Sequence, residues 1–377
     1  MEFAGHRPSA AKRVVIKVGS NVLTAESDLN KKVIESISSQ ICALIEQGRE
    51  VLLVSSGAQA AGLRKMGLAR RPEEIPKRQA IAAIGQSGLM NAYEAAFGRH
   101  GKKVAQILLT SEDLNSRKRY LNARNALHTL LEWKVVPVIN ENDTVMVEEI
   151  KLGDNDNLAA MIALLMDADL LVVLTDIEGL YDKDPRTFPD AELIPRVEAF
   201  RKEIEQYAGS IPGTLGTGGM LSKLKAARKV TAAGIPMIVA RGSKPDVLLR
   251  LFEDESHGTY FVPNAERMAS RKCWIAYTLT PKGTLVVDDG AALAVTQKGK
   301  SLLPSGVLSV VGEFGVGAAV TFQNQKGEVL GIGLVNYSAA DIRLIRGLRT
   351  AQVKSCLGGK PYDEVIHRDN LVITATA

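Results

Sequence analysis

LAAMIALLMDADLLVVLTD runs from Leu158 to Asp176, and how it is read decides the fold. Its apolar length invites a membrane span, but Asp167 and Asp169 interrupt it before it reaches the roughly 20 residues a bilayer requires. The first part has a helical pattern. The second, LLVVLT (170–175), is a strand that is apolar on consecutive rather than alternate positions. Such a strand is buried on both faces, as in a parallel sheet flanked by helices. The same texture returns in RVVIKV (13–18), EVLLVS (50–55), KVAQILL (103–109), KVVPVIN (134–140) and IPMIVA (235–240). Helical patterns lie between these runs, among them 29–48, which ends at Gly48 as a C-cap, 77–98 and 124–133. The region up to about residue 260 therefore reads as an α/β three-layer sandwich with a mainly parallel central sheet. From Thr284 onward short runs such as TLVV, VLSVV and AAVTF alternate with glycine-rich turns, which predicts a small β-rich domain.

Bulk properties agree. At 377 residues two domains are the natural expectation. A composition of 46% hydrophobic and 24% charged residues is that of a globular chain with apolar surface to bury. A net charge of +5 is modest for this length and argues against a dedicated nucleic-acid binder. Cys42, Cys273 and Cys356 are odd in number and far apart, which excludes a Cys-rich zinc module and points to a reducing, cytoplasmic setting. Residues 1–12 lack the apolar segment of a signal peptide and read as a short mobile tail.

The polar oddities fall on one edge of this sheet. KVGSN (17–21), SSGAQAAG (55–62), NENDT (140–144) and TDIEGLYDKDP (175–185) each begin at the carboxyl end of a predicted strand. Ligands of open α/β sheets bind there. Lys17, followed by Gly19 and Ser20, places a positive charge beside outward-pointing amides and suits a phosphate; alone it reads equally as an exposed lysine at a strand end. Ser55, Ser56 and Gly57 form a turn that can grip an anion or merely cap a helix. GTLGTGGMLSK (213–223) crowds four glycines before a helix whose first turns carry Lys223. Amides and helix dipole there favour an anion, although a surface loop explains the glycines too. No standard P-loop or dinucleotide fingerprint is present. INENDT and KLGDNDN (151–157) supply the donors and acceptors a zwitterion needs, and each alone also reads as an Asx-rich turn. They lack the EF-hand's glycine and terminal glutamate. None of the five histidines falls in these loops. Paired lysines without a base lean towards phosphorylating a carboxylate, which is already ionised at neutral pH.

In this order, KVGSN, VSSGAQAAG, PVINENDTV, KLGDNDNLAA, VVLTDIEGLYDKDPR and GTGGMLSKLKAA resemble the glutamate-phosphorylating branch of the amino acid kinase family. The match runs over nearly the whole chain, and the tail from Pro281 resembles a PUA domain. The resemblance implies an amino acid kinase fold over 13–265, a linker over 266–282 and a PUA-like barrel over 283–377. It implies phosphoryl transfer from ATP, with Mg2+, to the side-chain carboxylate of L-glutamate, the first step towards proline. Lys17 and Lys223 would stabilise the transferring phosphoryl group and Asp156 would orient them. Ser56, Asp143 and Asn155 would hold glutamate. Lys17, Thr175, Asp176, Thr217, Gly218, Gly219, Met220, Leu221, Ser222 and Lys223 would hold the nucleotide, and no residue is assigned as a metal ligand. Feedback inhibition by proline, a homodimer or homotetramer, and handover to a glutamyl-phosphate reductase are further implications. The family commonly carries a hydroxyl residue where Asn21 stands, which leaves position 21 without an implied role. Sister kinases acting on aspartate, N-acetylglutamate, carbamate or UMP are the nearest rivals. RNA binding by the tail is the rival of another class. From residue 281 the tail holds ten Lys/Arg against eight Asp/Glu, about +2, with no basic stripe. Arg343, Arg346 and Arg349 recur at helical spacing and read as one solvated helix face.

Overall fold

The structure is a computed structural model that describes residues 7–25, 28–145, 155–200, 204, 219–253, 257–263, 268–358 and 362–373. It divides into two compact units, Met1–Arg267 and Met268–Ala377.

In the first unit β1 (Arg13–Val18) leads through the short α1 (Ser20–Leu23) and the hairpin β2 (Thr24–Ala25) and β3 (Asp28–Leu29) into α2 (Lys31–Glu46) and β4 (Glu50–Ser55). Then follow α3 (Ala58–Lys65), α4 (Ile75–Gly98), β5 (Val104–Leu109), α5 (Ser111–Asn115), α6 (Arg117–Glu132) and β6 (Val136–Glu141). After α7 (Asn155–Leu165) come β7 (Leu170–Thr175), β8 (Arg196–Val197), α8 (Met220–Ala232), β9 (Met237–Arg241), α9 (Val247–Leu251) and β10 (Thr259–Phe261). The sheet order is β5-β6-β4-β1-β7-β9-β10-β8, and all pairings are parallel except β9 with β10. The stretch 158–176 is thus a buried helix and a central strand, not a span. Among the described residues no helix is long and apolar enough to cross a membrane.

Strand parity assigns the layers. Val14, Ile16 and Val18 of β1 join Val51, Leu53, Leu170, Val172 and Leu174 in a core closed by Ile34, Ile37 and Ile41 of α2 and Leu89, Tyr93 and Phe97 of α4. The alternate residues of β1, Val15 and Lys17, therefore face the other side, where α7 packs on β1 and β7 and α8 packs on α7. The same alternation that buries one face aims Lys17 at α7.

Two features bear on the site. The chain runs from β1 to β4 on one side, and β7 takes the other flank of β1, so the strand order switches at β1/β7. In open α/β sheets ligands bind outside the carboxyl ends of the strands at such a switch point. Secondly, α3 and α4 meet backbone to backbone. A Cβ on Gly85 would overlap the carbonyl oxygen of Ala58 and the amide of Gly62, and one on Gly62 would overlap the carbonyl of Ile81. Only glycine at both positions permits this approach.

The second unit holds α10 (Ser270–Tyr277), β11 (Thr284–Val287), α11 (Asp289–Thr296), β12 (Val307–Val311), β13 (Ala319–Gln323), β14 (Val329–Leu334), α12 (Ala339–Ile345), α13 (Thr350–Leu357) and β15 (Leu371–Ile373). Its sheet order is β12-β11-β13-β14-β15, with β11 and β13 parallel and the other pairs antiparallel. Leu285, Val320, Phe322, Ile342, Ile345 and Ile366 fill its own core. Two expectations change here. The segment read as linker contains α10. Arg343, Arg346 and Arg349 do not share a helix face: α12 ends at Ile345, Arg346 is its C-cap, and Arg349 is the N-cap of α13. Gly347, at φ 75°, turns the chain between them.

Candidate active site

Lys17 is the penultimate residue of β1 and Asp156 lies in the first turn of α7. Lys17 Nζ is 2.5 Å from Asp156 Oδ1. From α8, Lys223 Nζ donates to Asp156 Oδ2 at 3.2 Å, and Ser222 Oγ lies 2.6 Å from the same oxygen. All three charged side chains are buried: Lys17 is 6% exposed, Asp156 1% and Lys223 5%. Burial pushes the Asp156 carboxyl up, but the two ammonium groups and the Ser222 hydroxyl outweigh it and hold the group well below the usual carboxylate range. Two positive charges so close would repel each other strongly in a dry site. One shared carboxylate keeps both in place with a net charge of +1.

Beside this cluster the β1 and β7 loops are tied together. Asn21 Nδ2 donates to Asp176 Oδ2 at 2.8 Å, and Thr175 Oγ1 donates to Asp176 Oδ1 at 3.0 Å. Burial raises the Asp176 carboxyl, while these bonds and the Lys223 charge bring it below its ordinary value. Asn21, which had no implied role, is a latch between two loops of the site. Gly19 sits under the Lys17 ammonium with its amide donating to the Leu174 carbonyl at 3.0 Å.

A second group is uncharged. Gly57, at φ 101°, ends the β4 loop in the left-handed region and starts α3 without a side-chain cap. Ser56 therefore does not serve as a helix cap. Its Oγ accepts from Asn155 Nδ2 at 3.0 Å, which also lies 3.2 Å from the Ser55 carbonyl and 3.1 Å from Asn140 Oδ1. Asn140 Nδ2 donates to Gln86 Oε1 of α4 at 2.9 Å. Ser55 Oγ and Tyr93 OH are 2.8 Å apart, and burial pushes the Tyr93 phenol up despite this bond. Asp143, half-buried in the 3-10 turn Asp143–Val145, faces Gln59 and Arg71. Burial raises its carboxyl, and those two neighbours offset only part of the rise.

The structure thus brings Lys17, Lys223, Asp156 and Ser222 together, and Ser56 with Asn155. Thr175 and Asp176 lie at the end of β7, with Asp176 near enough to Lys223 to feel its charge. Gly219 is the N-cap of α8, Met220 is buried and Leu221 is exposed. Thr217 and Gly218 lie outside the described residues. Sequence reasoning passed over Gln86 and Tyr93. Their signal was faint: α4 carries several polar residues, and spacing alone does not say that Gln86 and Tyr93 are among the buried ones.

The arrangement meets what phosphoryl transfer asks of a protein, which is positioning and neutralisation of charge. A family model described as "Amino acid kinase family" matches residues 12–241, and one described as "PUA domain" matches 283–357. The chain belongs to the amino acid kinase family. This amino acid kinase is 51% identical over 362 residues to "Glutamate 5-kinase" of Syntrophus aciditrophicus, covering 96% of this chain and 94% of that relative. It is 51% identical over 366 residues to "Glutamate 5-kinase" of Geobacter sulfurreducens, with 97% and 98% covered, and 50% identical over 364 residues to that of Meiothermus ruber, with 97% and 96% covered. Solved structures similar to it include UMP kinase from Bacillus anthracis, at 18% identity and TM-score 0.48 over 68% of this chain and 97% of that one. Carbamate kinase from Giardia lamblia bound to AMP-PNP shows 18% identity and TM-score 0.49 over 68% and 100%.

ATP and Mg2+ fit these residues. Among the described residues no cluster of His, Cys, Asp and Glu forms a metal site. Mg2+ commonly keeps its waters and binds through substrate phosphates with one or two carboxylates at most, so an ion carried by the nucleotide asks little of the chain.

Proposed function

We propose that this kinase transfers the γ-phosphoryl group of ATP to the side-chain carboxylate of L-glutamate, giving γ-glutamyl phosphate, the first step towards proline. The observation that carries the reading is the pair of buried ammonium groups held on Asp156 at the carboxyl edge of the sheet. A carboxylate oxygen attacks the terminal phosphorus, the bond to the β,γ-bridging oxygen breaks, and ADP leaves with that electron pair. No proton has to move, because the acceptor, with a pKa of about 4.3, is ionised at neutral pH. This accounts for a site without a histidine base.

Lys17 and Lys223 neutralise the charge that develops on the equatorial oxygens, and Asp156 holds both ammonium groups where that charge appears. Mg2+, when bound with the nucleotide, supplies further neutralisation of the phosphates. Ser56, Asp143 and Asn155 hold glutamate. Thr175, Asp176 and the segment from Gly219 to Lys223 hold the nucleotide, with the start of α8 favouring its anionic groups.

Residues 13–265 form the catalytic domain and 283–377 the PUA-like one. Inhibition by proline, assembly into a homodimer or homotetramer, a cytoplasmic location and handover of the reactive acyl phosphate to a glutamyl-phosphate reductase complete the reading. The relatives named glutamate 5-kinase, about half identical along nearly their whole length, support it. Hydroxylamine added with ATP, Mg2+ and glutamate is expected to trap γ-glutamyl hydroxamate. ADP release with aspartate, N-acetylglutamate, carbamate or UMP and none with glutamate would overturn the assignment.

A further inference from the structure

Three amide side chains form one chain of hydrogen bonds across the neutral part of the site. Asn155 Nδ2 donates to Asn140 Oδ1 at 3.1 Å, and Asn140 Nδ2 donates to Gln86 Oε1 at 2.9 Å. The direction of this chain is fixed by the backbone, since the Glu141 N–H, which can only donate, gives its hydrogen to Asn140 Oδ1 at 2.9 Å. That bond makes Nδ2 the atom that turns to Gln86, and hence Oε1 the Gln86 atom that receives it. Gln86 Nε2 is left as a donor at one end of the chain, and Asn155 Oδ1 as an acceptor at the other. Both atoms are buried and have no hydrogen-bond partner among the described residues. Their side chains are more than nine-tenths buried, at 8% and 6% exposed.

A buried amide end without a partner is costly unless a ligand meets it. Aligned amide dipoles also polarise one another, which strengthens the donor end and the acceptor end alike. A donor and an acceptor on one rigid relay match the carboxylate and ammonium of an α-amino acid. α4 packs on the turn that carries Asp143, and the glycine contact between α3 and α4 sets Gln86 close to the β4 loop.

We infer that Gln86 donates to the α-carboxylate of the acceptor and so selects an α-amino acid over substrates lacking that group. The inference rests on the reading of glutamate as acceptor. The side-chain carboxylate belongs at the lysines and the ammonium at Asp143 and Asn155 Oδ1. Gln86 supplies the neutral donor that the remaining carboxylate needs.

Two variants test this. Q86E keeps the shape and the bond from Asn140 but replaces the donor by an anionic oxygen, and Q86L removes both. A hydrogen bond to a charged partner is worth about tenfold to a hundredfold in affinity. KM for glutamate is expected to rise by that factor in both variants, with kcat within about threefold and KM for ATP within about twofold of wild type. L-isoglutamine, whose α-carboxylate is an amide, separates recognition from structure. The preference of wild type for glutamate over isoglutamine, as kcat/KM, is expected to fall at least about tenfold in Q86E, because the amide can donate to the new carboxylate. Equal losses on both acceptors, or an unchanged KM for glutamate, would overturn the inference. Failure of wild type to form γ-glutamyl hydroxamate would instead overturn the reading of glutamate as acceptor.

Discussion

The two ends of the site are built from different chemistry. At one end, three strand and helix termini bring two ammonium groups onto a single carboxylate. At the other, a serine, two asparagines and a glutamine form a neutral relay. The same helix, α7, serves both, with Asn155 in the relay and Asp156 in the ion cluster. Neighbouring residues thus split the work. Charge is placed where it changes during the reaction, and neutral dipoles are placed where a fixed group needs only to be recognised. Interactions that strengthen in the transition state act on turnover, whereas those present equally in the ground state act on binding.

That contrast can be broken most sharply at Lys223. Lys223→Ala is expected to cut kcat by about a hundredfold to a thousandfold with a smaller change in KM for glutamate. A loss confined to KM would place the lysine at the recognition end. Asp156→Asn keeps the shape but leaves two buried ammonium groups without a counter-charge, and kcat is expected to fall at least about tenfold. Its stability carries a pH signature. Asp156 is held below its unfolded value, so its contribution is present above about pH 4 and fades as pH falls through the folded pKa. The gap in denaturation midpoint between wild type and Asp156→Asn is therefore expected to be flat from pH 5 to pH 8 and to close below about pH 4. A gap that widened in acid would contradict the ion cluster.

At the recognition end, Asp143→Ala is expected to raise KM for glutamate about tenfold and leave kcat nearly unchanged. The Asp143 carboxyl is raised by burial, so the acid limb of kcat/KM should lie above the ordinary aspartate range, and Asp143→Asn should move it down to the ionisation of the acceptor carboxylate itself, at about 4.3. The smallest effect is on the scaffold. Gly85→Ala forces α4 away from α3 and is expected to lower stability by about 1–3 kcal/mol in urea denaturation. A neutral result would show that the helices can separate without harm.

Much of this was legible from residue order alone. LLVVLT and RVVIKV were apolar on consecutive positions because both faces of their strands are covered. Lys17 and Lys223 were ambiguous alone and became legible through the order of the motifs around them and, for Lys17, its place at the carboxyl end of a predicted strand. Other parts were hidden because tertiary contacts create them. Gln86 reads as one polar residue in a helical run, and only the approach of Gly85 to Gly62 and the turn of Asn140 give it a neighbour. Asn21 has meaning only once β7 lies beside β1, which brings Asp176 within 2.8 Å. The helix Ser270–Tyr277 in the expected linker, and the break at Gly347 between the arginines, depend on packing that local spacing does not report.

The place of β1 in the sheet has a consequence for how the protein is made. Val14 pairs with Leu170, and ribosomes add roughly 5–20 residues per second, so the first strand waits roughly 8–30 s for its second neighbour. Through that interval a greasy ribbon edge is uncovered on the nascent chain, in the condition that invites clumping or holdase capture. A cell that overproduces this protein faster than its chaperones can shield that edge is expected to accumulate it in inclusion bodies, and slowing translation or cooling the culture should recover soluble enzyme.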